Sequence, residues 1–498
     1  MGFGRDFVLD ALLQHNYFPM QSTHKDELPP VLGSESFSVE AAREVAGCWR
    51  SRKASGCDYR GFDAVEYRLT RYTGVPRTCM LPHPTAYAHL ALAIHESWSR
   101  IDRVATNPLS LIRPREHTDG RLIVMNYETD QAKTDREMKA GFGMRFTART
   151  DISNCFPSIY THALSWALVG FKEAKDNRGK PGRWYNRLDE AARWIKRNET
   201  NGVAIGPATS NVLSEIILGK VDGKLATRFD FYRFIDDYTC YCKTEQDAQE
   251  FIRRLSHELA EFKLSLNGGK TRIEALPRTA SGSWIIDIRR HLPEVDSIPP
   301  RGVRSFMDYS IQLASKHPEG SVLKYALRCV SEKAGGDDAK RQALRYGVTL
   351  AFHQPALLPL LDSLVNWDDP DELDELSDAV LQIGAESGKF HRSDAMSWSL
   401  YYLAKAHTDL PKELVDAVFR TRDCVALTIL LLFDDKAIQR DLQAFARLLD
   451  PGDLYELDQY WLFLYEMYRR GLWKNPYGDD DTFSLLRTHD VAFLRELS

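Results

Sequence analysis

The chain has no C-x-x-C pair, no long apolar run and no surplus of positive charge, and each absence closes a class of function. Its eight cysteines, at positions 48, 57, 79, 155, 240, 242, 329 and 424, are scattered. That argues against a zinc site of the usual spacing and for reduced thiols. Cys240 and Cys242 would share one strand face, where packing accounts for them. The most apolar run, Val425 to Phe433, is far short of the ~18 residues that read as a spanning helix. The start, Met1-Gly-Phe-Gly-Arg-Asp6, has no apolar stretch after a basic one, so no secretory signal is expected. A cytoplasmic protein without a membrane segment is the expectation.

The net charge of −5 excludes a globally basic nucleic-acid binder. The charge is uneven, however. Residues 1–300 carry 42 Lys+Arg against 38 Asp+Glu, whereas 301–498 carry 23 against 32. With 498 residues and 43% hydrophobic content, two to three folded domains are expected.

Ala86 to Ile101 has apolar residues at helical spacing. Between Thr106 and Asn126 the pattern changes to short β-type runs, Leu122-Ile-Val-Met125 among them. From Arg145 to about Ile273 strands and helices alternate. Within this stretch Lys172 to Glu199 holds 9 Lys+Arg and 5 Asp+Glu. It reads as a solvated helix pair, with nucleic-acid contact as the alternative. After the Pro-rich stretch from Leu292 to Pro300, helix-sized segments run to the end: Arg304–Lys316, Ser321–Ala334, Asp338–Phe352, Leu373–Ala385, Ser393–Ala406 and four more. Their pairs approach the ~40-residue period of HEAT-type repeats, without a legible consensus. The expected fold is α+β over residues 1–295, followed by an all-α, HEAT-like unit over 300–498.

Carboxylates carry the chemical signal. In Tyr232-Arg-Phe-Ile-Asp236-Asp237-Tyr-Thr-Cys-Tyr-Cys242 two adjacent aspartates lie between aromatic, strand-type flanks, so a β-hairpin should present them at its turn. The other Asp pairs, 337–338, 368–369, 434–435 and the run 479–481, look like helix ends or turns. Upstream, Phe146-Thr-Ala-Arg-Thr-Asp151-Ile-Ser-Asn-Cys-Phe156 ends a β-type run on Asp151. Mg²⁺ binds through a few carboxylates plus substrate phosphates. Two such ions, about 3.5–4 Å apart, activate an attacking hydroxyl and stabilise the leaving oxygen. Asp151 and Asp236 from neighbouring strands would bridge both ions, with Asp237 as outer partner; Mn²⁺ is a possible substitute. Gly206-Pro-Ala-Thr-Ser210-Asn211 opens a helix, and glycine there permits close approach of a substrate. Lys270 lies just past a Gly-Gly turn, in Asn267-Gly-Gly-Lys270, and suits protonation of a pyrophosphate leaving group.

In this order the four motifs resemble the palm of a reverse transcriptase. The resemblance implies that Phe156, five residues after Asp151, lies against the sugar and selects deoxynucleotides. It places Gly206 and Ser210 near the substrate, and Arg113, Arg115 and Arg121 in the stretch where fingers residues grip the triphosphate. Ile-Ser-Asn-Cys-Phe-Pro-Ser-Ile-Tyr-Thr-His162 and Gly-Pro-Ala-Thr-Ser-Asn-x-Leu-Ser-Glu215 are similar to the abortive-infection reverse transcriptases, a group that includes AbiK, AbiA and the prophage-borne type. That resemblance implies bacterial antiphage defence. It further implies untemplated DNA synthesis from dNTPs, primed by a protein hydroxyl, with single-stranded DNA left covalently attached, and a homo-oligomer, a trimer being the expected number. An acidic helical half is a poor clamp for a primer–template duplex, whose phosphates favour basic surfaces. RNA-templated synthesis and a non-catalytic helical module with a palm scaffold are the competing readings.

Overall fold

A fingers hairpin, a four-stranded palm sheet and a long helical array share one apolar core. The computed structural model describes residues 4–497 except 51–52, 55–56, 59–60, 72–73, 126–127, 181, 280–282, 319 and 479. Strands β1 (Ala64–Leu69) and β2 (Arg77–Pro82) form an antiparallel hairpin with Ala64 opposite Pro82. Helix α1 (Pro84–Ala105) follows at once and is longer than its periodicity suggests. Pro84 takes the first helical position, and the His83 ring accepts from the Thr85 N–H at 3.3 Å.

The run Leu122 to Val124 is buried but forms no strand; only Met125 makes an isolated bridge, to Ser22. Its backbone is satisfied differently. The buried Asn16 side chain accepts from the N–H groups of Leu122 and Ile123 at 2.7 and 3.0 Å and donates to the Ile123 carbonyl at 3.1 Å. Apolar, β-type composition marked a buried segment here, while the hydrogen bonds came from a distant side chain.

The palm sheet comprises β3 (Phe146–Asp151), β4 (Phe231–Phe234), β5 (Asp237–Cys242) and β6 (Arg272–Ala275). Its order is β4-β5-β3-β6, with every neighbour antiparallel. Cys240 and Cys242 lie side by side within it, their sulfurs 3.7 Å apart. Six helices alternate with its strands along the chain, α2 (Asp130–Gly141), α3 (His162–Val169), α4 (Phe171–Asp176), α5 (Trp184–Trp194), α6 (Ala208–Leu225) and α7 (Glu245–Glu261), and α7 packs on β3, β5 and β6. The charged stretch 172–199 is therefore a helix pair, α4 and α5. Helix α6 is buried on nearly every face, with α1, α3 and α7 packed against it. Pro207 lies one residue outside it, at the N-cap.

From Pro300 the chain is helical: α8 (Pro300–Lys316), α9 (Val322–Lys333), α10 (Asp337–His353), α11 (Pro370–Lys389) and α12 (Ser393–Lys405). Among the described residues six more α-helices follow rather than four, at Lys412–Thr421, Cys424–Ile429, Lys436–Leu448, Leu454–Gln459, Trp461–Arg469 and Thr482–Thr488. Asp369, Asp423, Asp435 and Asp453 cap four helices through their carboxylates. Asp479 lies outside the described residues. Among the described residues no helix is long and apolar enough to cross a membrane.

This helical half grips the fingers hairpin. The Asp394 carboxylate on α12 accepts from the Thr70 N–H at 2.6 Å and its hydroxyl at 2.9 Å. Asp458 accepts from the Asp63 N–H at 2.9 Å, and the Trp461 indole donates to the Leu81 carbonyl at 3.0 Å. Trp461 and Phe493 join the rings of Tyr17 and Phe18 in one aromatic cluster.

Candidate active site

Phe234 pairs with Asp237, so two residues, Ile235 and Asp236, close the β4–β5 hairpin. Ile235 has φ +57. Two-residue hairpin turns favour positive φ at this position, but a β-branched side chain pays strain for it.

Arg233 holds the turn from beneath. Its side chain is fully buried. It donates to both oxygens of Glu215 at 2.7 and 2.9 Å, to Asp222 Oδ2 at 3.0 and 2.9 Å, and to the Ile235 carbonyl at 2.6 Å. Ser110 donates to Glu215 at 3.0 Å, and Asn107 and Tyr238 each donate to Asp222 at 2.8 Å. Burial opposes the guanidinium charge, yet Asp222 and Glu215 outweigh it and hold the Arg233 pKa well above its usual value. Burial raises the Glu215 pKa, against the pull of Arg233. The network ties the strained turn to α6. Nothing in the sequence singled out Arg233, although it stands inside the Asp-Asp motif.

Asp151 ends β3 directly opposite Asp237 on β5. The Ile152 N–H donates to the Asp236 carbonyl at 3.2 Å, and the Asn267 N–H to the Asp151 carbonyl at 2.7 Å. These bonds bring all three carboxylates and the lysine turn together, as the motif order implied. Asp151 is buried, Asp236 half-buried and Asp237 exposed. Burial first, then the charges of Asp151 and Asp237, pushes the Asp236 pKa up to about 6. Burial and then Asp151 raise that of Asp237. Lys270, at the end of the 3₁₀ turn Gly268–Lys270, forms an ion pair with Asp151, and this bond raises its pKa.

Among the described residues no three His, Cys, Asp or Glu side chains converge closely enough to hold a metal ion by themselves. Lys270 takes up one oxygen of Asp151 in their place. The donor chemistry nevertheless suits a hard divalent cation: three carboxylates facing one cleft, two of them driven toward protonation by burial and then by the charge of Asp151.

That cleft measures about 770 Å³ and is lined by Asp151, Asp236, Asp237, Lys270, Phe156, Arg71 and Arg77. Phe156 sits on the helical turn Cys155–Ser158, launched by Asn154 at φ +49, and is largely buried in the cleft wall. A second hollow of about 650 Å³ opens on the other side of Asp237 and Lys270, between Arg136, Arg149, Tyr232, Phe234 and Arg272. Asp237 and Lys270 line both hollows, whereas Asp151 and Asp236 face only the first.

Other expected residues lie elsewhere. Gly206 has φ +127, and a Cβ there would come 3.1 Å from Pro19 Cβ and 3.3 Å from the Met80 carbonyl. It lines a small cavity of about 80 Å³ behind Phe156, with Asn211 and Glu27. Ser210 is buried within α6. Both are packing positions behind the cleft wall. Arg113 donates to the carbonyls of Pro108 and Ser110 at 2.9 and 3.1 Å, and the Arg115 N–H to the Leu122 carbonyl at 3.0 Å. Arg121 turns inward, to Met20, Ser22 and Asp119. None of the three arginines lines the cleft. Beside Lys270 its basic lining is instead Lys196 with Arg71 and Arg77, the two arginines at either end of the β1–β2 connection. Burial, then Arg77, lowers the Arg71 pKa, while Asp236 acts in the opposite sense. Two arginines flanking a Gly-Val-Pro turn were the only sequence signal for this rim.

Residues 106–298 match the family Reverse transcriptase (RNA-dependent DNA polymerase). This stretch holds the three carboxylates and Lys270 and is matched as a reverse transcriptase domain. No curated protein sequence matches the chain. Among solved structures, a C-terminally truncated apo telomerase from Candida tropicalis is 13% identical over 44% of this chain and 51% of its own, with a TM-score of 0.31. The chain thus spans about half of that structure. The apo telomerase from Candida tropicalis is 9% identical over 84% of this chain and 74% of its own, with a TM-score of 0.33. Scores this low leave the assignment to the site geometry and the family match.

Proposed function

We propose that the chain is a DNA polymerase of the abortive-infection reverse transcriptase type. It would make DNA from dNTPs without a template, primed from one of its own hydroxyls, as a homotrimer serving antiphage defence in the bacterial cytoplasm. The observation that carries the polymerase reading is the opposition of Asp151 and Asp237 across β3 and β5, with Asp236 in the adjoining turn, all open to one cleft.

Asp151, Asp236 and Asp237 would hold two Mg²⁺ ions, or Mn²⁺ in their place. Bound there, the metal would activate the attacking hydroxyl and stabilise the leaving oxygen. Arg71 and Arg77 supply the donors that hold the triphosphate against the cleft wall. Phe156, in the cleft wall beside the carboxylates, would lie against the sugar and select against a 2′-hydroxyl. Lys270 carries a proton at Nζ that can pass to the pyrophosphate once the ammonium leaves Asp151. The hollow with Tyr232, Phe234, Arg149 and Arg272 offers stacking and phosphate contacts to a growing single strand.

Template independence draws its support from the acidic helical half, where 23 Lys+Arg face 32 Asp+Glu. The family description, RNA-dependent DNA polymerase, favours a copied RNA instead. One assay separates these readings. Protein incubated with Mg²⁺ and labelled dNTPs should carry label through a denaturing gel, and Asp236→Ala should not. Sequencing the product then decides: random or homopolymeric DNA supports untemplated synthesis, and a copied RNA refutes it.

A further inference from the structure

The helix pair α4–α5 encloses a cavity that the polymerase site does not use. It measures about 400 Å³ and lies between these helices, α3 and the segment that follows α5. Its floor is charged. Asp189 is buried, 6% exposed, and its Oδ2 accepts from His162 Nδ1 at 2.7 Å, with Arg193 Nε 3.6 Å away. Its other oxygen, Oδ1, is buried and has no hydrogen-bond partner among the described residues. A buried carboxylate oxygen left open is costly, and a donor entering the cavity relieves it. One wall is Trp166, half-buried, with the Lys175 ammonium 5.7 Å from its ring centroid. Lys175, Arg178 and Lys180 stand exposed at the rim. Among the described residues Lys175 and Arg178 form no ion pair.

These three features fit one ligand chemistry. An aromatic wall takes a flat ring, a buried acceptor takes an N–H from its edge, and an exposed cationic rim takes phosphate. We propose that this cavity is a second nucleotide-binding site, separate from the polymerase cleft, which holds an amino-bearing base against Trp166 and Asp189 and its phosphate on Lys175, Arg178 and Lys180. Such a nucleotide can be free in solution or stand at the end of a DNA strand. The chemistry is shared, and the experiment separates the sources. The segment after α5 leads from this cavity to the cleft: Asn198 and Thr200 line the former, Lys196 and Val203 the latter.

The test is photolabelling of the full-length protein with 8-azido-GMP in EDTA, with adducts mapped by mass spectrometry. Label is expected on peptides from residues 162–200. The rim variant Lys175→Ala/Arg178→Ala/Lys180→Ala, confined to exposed side chains, should weaken binding by at least about tenfold, the scale set by losing charge-assisted hydrogen bonds. Asp189→Asn should remove any preference for GMP, AMP and CMP over UMP. Competition by a 5′-phosphorylated deoxyguanosine pentamer below the concentration needed for GMP assigns the ligand to a strand end. Equal or better competition by GMP assigns it to a free nucleotide. Label confined to the polymerase cleft, or a rim variant labelled like the parent protein, overturns the proposal. Because EDTA removes divalent ions, an inactive polymerase site would not mimic either failure.

Discussion

Replacing Arg233 by Met should be the most damaging single change outside the cleft. The substitution roughly preserves volume but removes, among the described residues, the only cation paired with Glu215 and Asp222, both buried. Five hydrogen bonds go with it, including the one that holds the Ile235 carbonyl under the turn. Breaking a buried ion network by removing one partner costs about 3–5 kcal/mol, because the other charges stay desolvated. For 498 residues unfolding as one unit, at about 2.1 cal/mol/K per residue, that is a fall in Tm of about 3–5 °C. Thermal unfolding followed by far-UV circular dichroism measures it. Burial already raises the Glu215 pKa, so its proton is bound more readily in the folded state. The deficit of the variant should therefore shrink as pH falls from 8 to 5. Adding Glu215→Leu and Asp222→Leu should recover part of the loss, since an ion network exchanged whole for apolar side chains is often neutral. A cost below about 1 kcal/mol, or a deficit independent of pH, would refute the account of Arg233 as the clamp of the aspartate turn.

Arg77→Ala should raise KM for dNTPs about tenfold or more while changing kcat less, as steady-state kinetics would show, because the guanidinium binds phosphate rather than the reacting atoms. Asp394 is buried, which pushes its pKa to about 6 from 3.8. Its folded-state pKa thus exceeds the unfolded one, so stability should fall by roughly 2–3 kcal/mol as pH rises from about 4 to about 6; urea titrations at several pH values should show this slope flattened in Asp394→Asn. Gly206→Ala forces a Cβ against Pro19 and Met80 at φ +127, and should cost about 1–3 kcal/mol by urea unfolding.

Local chemistry made much of the chain legible in its sequence. A period of two ending on Asp151, aromatic flanks around Asp236 and Asp237, and a Gly-Gly turn before Lys270 each describe a structure complete within a few residues. Helices after Pro300 announced themselves by apolar spacing and by caps such as Asp369 and Asp435. The stretch at 172–199 read as a helix pair from its dense charge of both signs. Where a side chain's role depended on a distant partner, the tertiary structure alone decided. Arg113 and Arg115 stand in the expected stretch, yet Arg113 turns to local carbonyls, and the rim of the cleft belongs to a hairpin folded over from residues 64–82. Leu122 to Val124 had the composition of a strand but found its hydrogen bonds on Asn16. Arg233 resembles any strand arginine until Glu215 and Asp222 arrive from α6 to balance its charge. Periodicity reports on which side of an element is buried; which groups meet there depends on chain segments that pattern does not connect.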